Sequence, residues 1–215
     1  MPIRLRIVDY GSGNLHSMQK ACERALRESG KTGDVALTSD AADISSATHI
    51  VLPGVGAFGD CLAGLKAAPG VTDALEKAVH VHKTPFLGVC VGMQLLARKG
   101  FEFGEREGLG WVDAEVRPLA RNDDDALIVP HMGWNMVQGV GEASLWKEME
   151  LPSHAYFVHS YAMTLNDPSW MRATTEYGRE FTSLIAKGNI WATQFHPEKS
   201  SDFGIRMLRL FCEKE

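Results

Sequence analysis

The sequence lacks the features that mark several broad classes of protein. Its four cysteines, Cys22, Cys61, Cys90 and Cys212, are widely spaced and form no CxxC pair, which argues against a disulfide framework or a thiolate zinc site. No apolar run is long enough to span a membrane, and the first residues show no signal-peptide pattern. Lys and Arg number 22 against 27 Asp and Glu, with no basic run, so nucleic-acid binding is not expected. These absences predict a cytoplasmic protein that binds neither membranes nor nucleic acids.

The composition is that of an ordinary globular protein. Apolar residues make up 45% of the 215 positions and charged residues 23%, which is enough for one sizeable core but leaves little room for a second. We therefore expect one domain over residues 1–215. The only charge run, Asn122–Asp125, is expected to be a solvated loop.

Short apolar runs alternate with helix-like segments in the first half of the chain. The expected strands are Leu5–Asp9, Asp34–Thr38, His49–Leu52 and Phe86–Val89, and the expected helices are Leu15–Ser29, Val71–His82 and Val91–Lys99. This order predicts a three-layer α/β fold, with a mainly parallel central sheet covered by helices on both faces. From about Gly110 the pattern changes to short strands that include antiparallel hairpins, with a turn at Lys187–Asn189 and a closing helix over Ser201–Cys212. Those strands are Trp111–Val116, Leu127–Val129, Ala155–His159, Met171–Tyr177, Phe181–Ala186 and Ile190–Gln194.

Cys90 lies between the expected strand Phe86–Val89 and the helical pattern that follows. It is flanked by Gly88 and Gly92 in a Gly-x-Cys-x-Gly pattern, the cysteine form of the nucleophile elbow. Glycines suit such a sharp turn because a side chain would crowd it, and the start of a helix favours the thiolate, the nucleophilic form of cysteine. The pattern indicates a catalytic nucleophile, although a buried structural cysteine between a strand and a helix is the alternative.

The sequence His196-Pro197-Glu198 lies one residue after the last expected strand, Ile190–Gln194. Acyl transfer from an amide needs a nucleophile, a general base and an orienting group, and His196 and Glu198 are candidates for the last two. If this segment is extended, residues two apart point to the same side, and Pro197 limits the freedom of the backbone between them. The alternative is a polar loop that carries a surface carboxylate.

An oxyanion hole requires backbone N–H donors beside the nucleophile. The N–H of Val91, which follows Cys90, is one candidate. A second comes from Pro53–Gly56 at the end of another strand, and Val55 is the natural donor because the glycines Gly54 and Gly56 let the peptide approach a substrate or reorient. These residues also fit an ordinary strand-to-helix turn.

Together, these segments resemble the class I, triad-type glutamine amidotransferases. The resemblance extends over most of the chain and is carried by six segments. They are Val8–Leu15, Leu52–Phe58, Gly88–Leu96, Pro130–Asn135, Tyr156–Tyr161 and Gln194–Ser200. The elbow and the His-Pro-Glu sequence mark the superfamily, whereas Pro53–Gly56 and Pro130–Asn135 point to its members that act in histidine biosynthesis.

The resemblance implies that L-glutamine is hydrolysed through a γ-glutamyl thioester on Cys90, without a cofactor or a metal. It also implies that the ammonia passes to a separate (β/α)₈-barrel cyclase subunit, with which the chain forms a heterodimer. The implied substrate contacts are Gly54, Gln94, Ser160 and Tyr161, and the implied interface residues are Asn14 and Trp134.

Several other functions fit part of the sequence. The chain could be the glutaminase of another pathway, such as anthranilate, pyridoxal phosphate or guanylate synthesis, or a catalytically silent regulatory subunit. A cysteine peptidase uses the same residue types at its active site. A metal site built from His154, His159 and His196 is a further alternative, but their spacing matches no standard zinc pattern.

Overall fold

Thirteen strands and seven α-helices make up the part of the chain that the computed structural model describes, residues 2–120 and 127–214. The loop predicted at Asn122–Asp125 lies outside these residues. The strands are β1 (Ile3–Val8), β2 (Gly33–Thr38), β3 (His49–Gly54), β4 (Phe86–Cys90), β5 (Ala97–Gly100), β6 (Arg106–Glu107), β7 (Val112–Pro118), β8 (His131–Gly139), β9 (Ser153–His159), β10 (Tyr161–Leu165), β11 (Met171–Tyr177), β12 (Arg179–Lys187) and β13 (Ile190–Thr193). The α-helices are α1 (Leu15–Glu28), α2 (Ala41–Ser45), α3 (Phe58–Ala67), α4 (Val71–Glu76), α5 (Val91–Gln94), α6 (Ser144–Glu148) and α7 (Ser201–Cys212). A π-helical turn, Lys77–Val81, continues α4, and a 3₁₀ turn covers Pro197–Lys199.

Nine strands form one mixed sheet in the order β2-β1-β3-β4-β13-β12-β11-β8-β9. The five strands from β2 to β13 pair in parallel, and the pairings from β13 to β9 are antiparallel. The other four strands form a second sheet, β10-β7-β5-β6. The prediction of an α/β fold built on a parallel sheet, with antiparallel hairpins in the later half, is therefore confirmed.

The path of the chain places helices on both faces of the large sheet. The chain moves from β1 to β2 toward one edge, and then from β2 through β3 to β4 toward the other. Because parallel crossovers are right-handed, α1 lies on one face and α2, α3 and α4 lie on the other. α1 packs against α7, whereas α2 packs against α4. None of the helices in the described part of the chain has both the length and the apolar composition needed to cross a membrane.

The predicted helix Val91–Lys99 is wrong over most of its length. The structure has the short helix α5, after which the chain turns into strand β5 and pairs with β6 and β7. Every residue from Val91 to Ala97 is buried. A run that is buried on all sides has no amphipathic period, so its pattern cannot distinguish a helix from a strand.

The predicted strand Leu127–Val129 is also wrong. The strand that follows in the chain is β8, which begins at His131 and ends at Gly139. β8 contains Gly133 and several polar residues, which are uncommon in strands, so its composition did not indicate a strand. The prediction also omits the helices α2, α3 and α6 and the strands β6 and β10. The other predicted strands agree with the structure to within a few residues at each end, and the predicted turn joins β12 to β13.

The carboxyl ends of β1, β3, β4 and β13 meet at one edge of the sheet. The strand order reverses between β1 and β3, and in open α/β sheets such a reversal leaves a crevice at this edge. The register places Gly54 beside Cys90 and Thr193 beside Val89. The loop after β1, the end of β3, Cys90 and the residues after β13 are therefore neighbours, although they are far apart in sequence.

Candidate active site

Cys90 occupies a strained turn between β4 and α5. Its backbone has φ +56° and ψ −112°, a positive φ that costs energy in any residue other than glycine. A Cβ on Gly92 would lie 1.9 Å from the Leu52 carbonyl oxygen, and one on Gly88 would lie 2.8 Å from the Gly92 oxygen. Side chains at these positions would push the backbone of α5 outward, so the two glycines permit the turn.

His196 and Glu198 form a buried pair close to this turn. His196 Nδ1 lies 2.9 Å from Glu198 Oε1, and the two side chains are 2% and 1% exposed. The expected extended segment is not what brings them together, because Pro197–Lys199 forms a 3₁₀ turn. The Ser200 hydroxyl holds this turn by donating a 2.6 Å hydrogen bond to the His196 carbonyl.

The Glu198 carboxylate determines where His196 carries its protons. Since the carboxylate oxygen can only accept, Nδ1 carries a proton. Nε2 is then the ring nitrogen that can interact with other groups. Burial alone would lower the pKa of His196, but the Cys90 sulfur and then the Glu198 carboxylate outweigh it and raise the pKa to about 10. The ring therefore carries a positive charge at neutral pH. This charge can stabilise negative charge on the neighbouring sulfur.

A pocket of about 240 Å³ opens beside Cys90. It is lined by seven residues predicted from the sequence: Val55, Cys90, Val91, Gln94, Ser160, Tyr161 and His196. Glu198 contacts His196, and Gly54 pairs with Cys90 in the sheet. The remaining lining residues were not among the predicted catalytic, oxyanion or substrate-binding residues: Gly56, Glu102, Pro130, Val158 and His159. The pocket is smaller than the clefts of about 300–1,000 Å³ that hold drug-sized ligands, so it suits a molecule the size of an amino acid.

Two glutamines connect Cys90 to another wall of the pocket. Gln94 Nε2 donates to the Tyr161 carbonyl at 2.9 Å and to Gln194 Oε1 at 3.1 Å. Because a carbonyl only accepts, these bonds fix the orientation of both side-chain amides. Gln194 Nε2 then approaches Cys90 Sγ at 3.8 Å. Both N–H groups of Gln94 are thus occupied, and its carbonyl oxygen is the atom that can accept a hydrogen bond from a ligand. The sequence alone did not indicate a role for Gln194, although it lies only two residues before His196.

The two candidate oxyanion donors differ in this structure. Val91 is the first residue of α5, where a backbone N–H has no acceptor within the helix. The Val55 N–H instead donates to Ser12 Oγ at 3.1 Å, and the Ser12 hydroxyl donates to the Val55 carbonyl at 2.6 Å. The Cys61 thiol also donates to that carbonyl, at 3.3 Å. The Val55 N–H can therefore act on a substrate only after its hydrogen bond to Ser12 breaks, a contact that the sequence did not reveal.

Asn14 and Trp134, the predicted interface residues, lie outside the pocket. The Trp134 side chain is 54% exposed on β8, where Met132 and Met136 are also exposed on the same face. Asn14 approaches the catalytic candidates instead, with Nδ2 3.5 Å from Glu198 Oε1. Trp134 thus lies on an exposed apolar surface, whereas Asn14 lies beside a candidate catalytic residue.

The histidines considered for a metal site do not form one group. His154 is exposed on β9, His159 Nδ1 lies 2.9 Å from the Tyr161 carbonyl, and His196 pairs with Glu198. Within residues 2–120 and 127–214, no three or more His, Cys, Asp or Glu side chains are arranged to hold a metal ion.

Comparison with known proteins places this chain in a family. The model of class-I glutamine amidotransferases matches residues 7–214. Three similar relatives are named imidazole glycerol phosphate synthase subunit HisH. The protein of Rhodospirillum rubrum is 44% identical over 210 residues, 97% of this chain and 98% of its own length. That of Brucella abortus (strain 2308) is 43% identical over 214 residues, with coverage of 98% and 99%, and that of Caulobacter vibrioides is 43% identical over 207 residues, 96% of each chain.

Solved structures share the fold at lower identity. A crystal structure of a glutamine amidotransferase has a TM-score of 0.69 at 18% identity and covers 97% of each chain. A glutamine amidotransferase from Thermotoga maritima has a TM-score of 0.56 at 16% identity, covering 99% of this chain and 84% of its own. At these identities the likeness shows the fold alone.

Replacing Cys90 with alanine should lower the pKa of His196. Cys90 makes the largest of the contributions that raise this pKa, so the variant has only Glu198 to oppose the effect of burial. NMR titration of isotope-labelled histidine measures the change, with Cys22→Ala as the control at a buried cysteine on α1. We expect the wild-type ring to stay protonated at about pH 8 and the Cys90→Ala ring to lose its proton at a lower pH than wild type. The same pKa in both proteins would contradict an interaction between Cys90 and His196.

Proposed function

Because this chain belongs to the class-I glutamine amidotransferase family, we propose that it is the glutaminase subunit of an imidazole glycerol phosphate synthase. The observation that carries the proposal is the placement of Cys90, at a strained turn, in one pocket with His196 and its carboxylate partner Glu198. Relatives that are 43–44% identical over nearly the whole chain bear that name. Their identity favours histidine biosynthesis over the anthranilate, pyridoxal phosphate or guanylate pathways.

The reaction begins when the Cys90 thiol proton passes to His196 Nε2 and the resulting thiolate attacks the γ-carboxamide carbon of L-glutamine. The tetrahedral intermediate collapses as the C–N bond breaks, and His196 Nε2 gives its proton to the leaving ammonia. A γ-glutamyl thioester remains on Cys90. His196 then takes a proton from water as the water oxygen attacks the thioester carbon, which releases glutamate and restores the sulfur. Glu198 keeps the imidazole oriented through both steps.

The α-amino and α-carboxylate groups of glutamine bind at the wall that contains Gln94. Its Oε1 accepts from the α-ammonium group, because its two N–H groups are held by Tyr161 and Gln194. Backbone groups of Ser160 and Tyr161 complete these contacts, since both residues line the pocket. Gly54 contributes to this site through its backbone beside Cys90, because a Cβ there would lie 2.8 Å from the Gly92 nitrogen and would push α5 away from β3.

The oxyanion hole is completed by a rearrangement of the Val55 peptide. The Val91 N–H is one donor, and the Val55 N–H becomes the second when it leaves Ser12. Gly54 and Gly56 allow the intervening peptides to rotate. Ser12 therefore has a restraining role, and the isolated subunit should be a weak glutaminase that the partner stimulates. This behaviour suits the chemistry, since ammonia released without an acceptor is lost.

The partner that consumes the ammonia is a separate (β/α)₈-barrel cyclase, which forms a heterodimer with this chain. The cyclase combines ammonia with a ribulosyl-phosphate aminoimidazole carboxamide intermediate and releases imidazole glycerol phosphate and an aminoimidazole carboxamide ribotide. Met132, Trp134 and Met136 form an exposed apolar row on β8, and contiguous apolar surface of this kind marks interaction sites. We assign this row to the cyclase interface, with Trp134 as its anchor and Asn14 as a further contact.

The chain acts in the cytoplasm as one domain over residues 1–215 and needs no cofactor. Its four cysteines are buried and unpaired, as is usual in a reducing compartment. The family match over residues 7–214 supports a single domain. Cys90, His196 and Glu198 together supply the nucleophile, the acid-base group and the orienting carboxylate that amide hydrolysis requires.

Cys90→Ala should abolish glutamine hydrolysis by the heterodimer. Without the nucleophile the thioester cannot form, and we expect a loss of about 10³-fold or more. Synthesis from added ammonium salt should continue at the wild-type rate, because that half-reaction does not use the cysteine. Cys22→Ala is the matched control and should retain both activities. Glutamine hydrolysis at the wild-type rate by Cys90→Ala would contradict the assignment of the nucleophile.

Ser12→Ala should increase glutamine hydrolysis by the isolated subunit. The change removes both hydrogen bonds between Ser12 and the Val55 peptide, and loss of the one that holds the N–H, of about 1 kcal/mol, corresponds to a roughly fivefold change in population. Steady-state assays with and without the cyclase should show a gain of about fivefold without it and a smaller gain with it. Ser12→Thr retains a hydroxyl and is the control. An unchanged or lower rate in the isolated Ser12→Ala subunit would contradict the restraining role.

A further inference from the structure

Two buried histidines that take no part in the reaction face each other across β8 and β9. His131 and His159 are cross-strand partners, and they are only 2% and 6% exposed. His131 Nδ1 lies 3.2 Å from His159 Nε2. Burying two imidazoles in direct contact is costly unless their ring nitrogens are satisfied. The partners of the other two nitrogens therefore matter.

When both rings are neutral, the protons along this chain of hydrogen bonds can be placed in only one way. The Tyr161 carbonyl accepts, so His159 donates through Nδ1 at 2.9 Å, and the Nε2 of the neutral ring is then an acceptor. His131 then donates from Nδ1, which leaves its own Nε2 as an acceptor. Asn135 Nδ2 fills that position at 3.3 Å, and it donates to the Glu176 carbonyl at 2.9 Å. The hydrogen bonds thus run in one direction, from Asn135 to the Tyr161 carbonyl.

This arrangement requires both histidines to be neutral. Burial lowers the pKa of His131 to about 4 and that of His159 to about 3, so neither carries a charge at neutral pH. The His131 ring also stacks between Tyr177 and Phe157, with ring centroids 4.0 Å and 4.9 Å away. The aromatic neighbours hold the ring in place, and they leave its two nitrogens to the hydrogen bonds.

The chain of hydrogen bonds ends at a group that also holds the substrate-binding wall. The Tyr161 carbonyl accepts from His159 on one side and from Gln94 Nε2, at 2.9 Å, on the other. A carbonyl that accepts two hydrogen bonds is fixed in direction, and its position determines where Gln94 can present its oxygen. The other end, Asn135, lies on β8 next to Trp134 of the proposed cyclase interface.

We propose that Asn135, His131 and His159 are positioning residues that fix the Tyr161 carbonyl and thereby hold Gln94 in the orientation that binds glutamine. This inference rests on the proposed glutaminase function. It assigns the three side chains to substrate binding and not to the chemical steps, because none of them touches the reacting atoms. The expected effect of breaking the chain is therefore on KM and not on kcat.

Two substitutions at His159 separate the donor from the bulk of the side chain. The amide nitrogen of an asparagine matches the position of Nδ1, so His159→Asn keeps the donor to the Tyr161 carbonyl. The amide of a glutamine matches Nε2, so His159→Gln loses that donor. His154→Gln makes the same change at an exposed position of β9 and is the matched control. Glutamine hydrolysis and ammonia-dependent synthesis are measured for each variant in the heterodimer.

We expect His159→Gln to raise the KM for glutamine about tenfold, with kcat changed less than about twofold, since one directed hydrogen bond is lost. His159→Asn should recover most of the affinity, and His154→Gln should match wild type. Equal KM values in His159→Gln and wild type, or equal losses in both His159 variants, would overturn the proposal. If His159→Gln does not fold, His131→Phe, which keeps the ring stacking, replaces it, with His131→Asn as the variant that retains the donor.

A measurement on the unmodified protein tests the same chain without relying on activity. Long-range ¹H–¹⁵N NMR distinguishes the two neutral tautomers of histidine, and the proposal requires the Nδ1–H form for both His131 and His159. The Nε2–H form, or a charged ring, at either residue at neutral pH would overturn it. A protein with these tautomers but no glutamine hydrolysis would instead contradict the proposed function, so the two failures are distinguishable.

Discussion

The backbone of α5 packs against β3 with no space for a side chain between them. A Cβ on Gly92 would lie 1.9 Å from the Leu52 carbonyl oxygen, and this oxygen belongs to a strand buried at every residue, so it cannot move away. The close contact exists because both Gly88 and Gly92 lack side chains, and the chain between them turns at Cys90 with a positive φ. This tight packing accompanies the placement of Cys90 in the pocket, the start of a helix at Val91 with a free N–H, and the position of Gln94 one turn further along.

Hydrogen bonds extend this constraint to the rest of the site. Gln194 and Gln94 connect the sulfur with the Tyr161 carbonyl, whereas Glu198 stabilises the charge on His196, which would otherwise be costly to bury. These parts are held on several sides. The Val55 peptide differs, because Ser12 holds its N–H in the present conformation and its neighbouring glycines let it rotate. The proposed nucleophile, Cys90, is therefore held rigidly, whereas the proposed second oxyanion donor, the Val55 N–H, can move.

The sequence was sufficient to predict the residues whose chemistry depends on short spacing. Gly88, Cys90 and Gly92, and the pair His196 and Glu198, are informative because residue type and local geometry limit what they can do. The 3₁₀ turn that joins the latter pair was not predicted, since two side chains can meet from an extended segment or from a turn. The positions of most strands were predictable from the apolar runs, but the run after Cys90 is buried on all sides and therefore has no period that distinguishes a helix from a strand. Contacts such as that of Ser12 with Val55 depend on the register of distant strands, which no local pattern encodes.

The central claim is that Cys90 carries the acyl group of glutamine during turnover. Rapid-quench mass spectrometry of the protein with its proposed cyclase partner during glutamine hydrolysis measures this directly, because a thioester adds the mass of a γ-glutamyl group to the peptide that contains the nucleophile. We expect an adduct on the Cys90 peptide that disappears when glutamine is exhausted. Glutamine turnover with an adduct on Cys61 instead, or with no adduct in Cys90 under conditions that slow thioester hydrolysis, would contradict it.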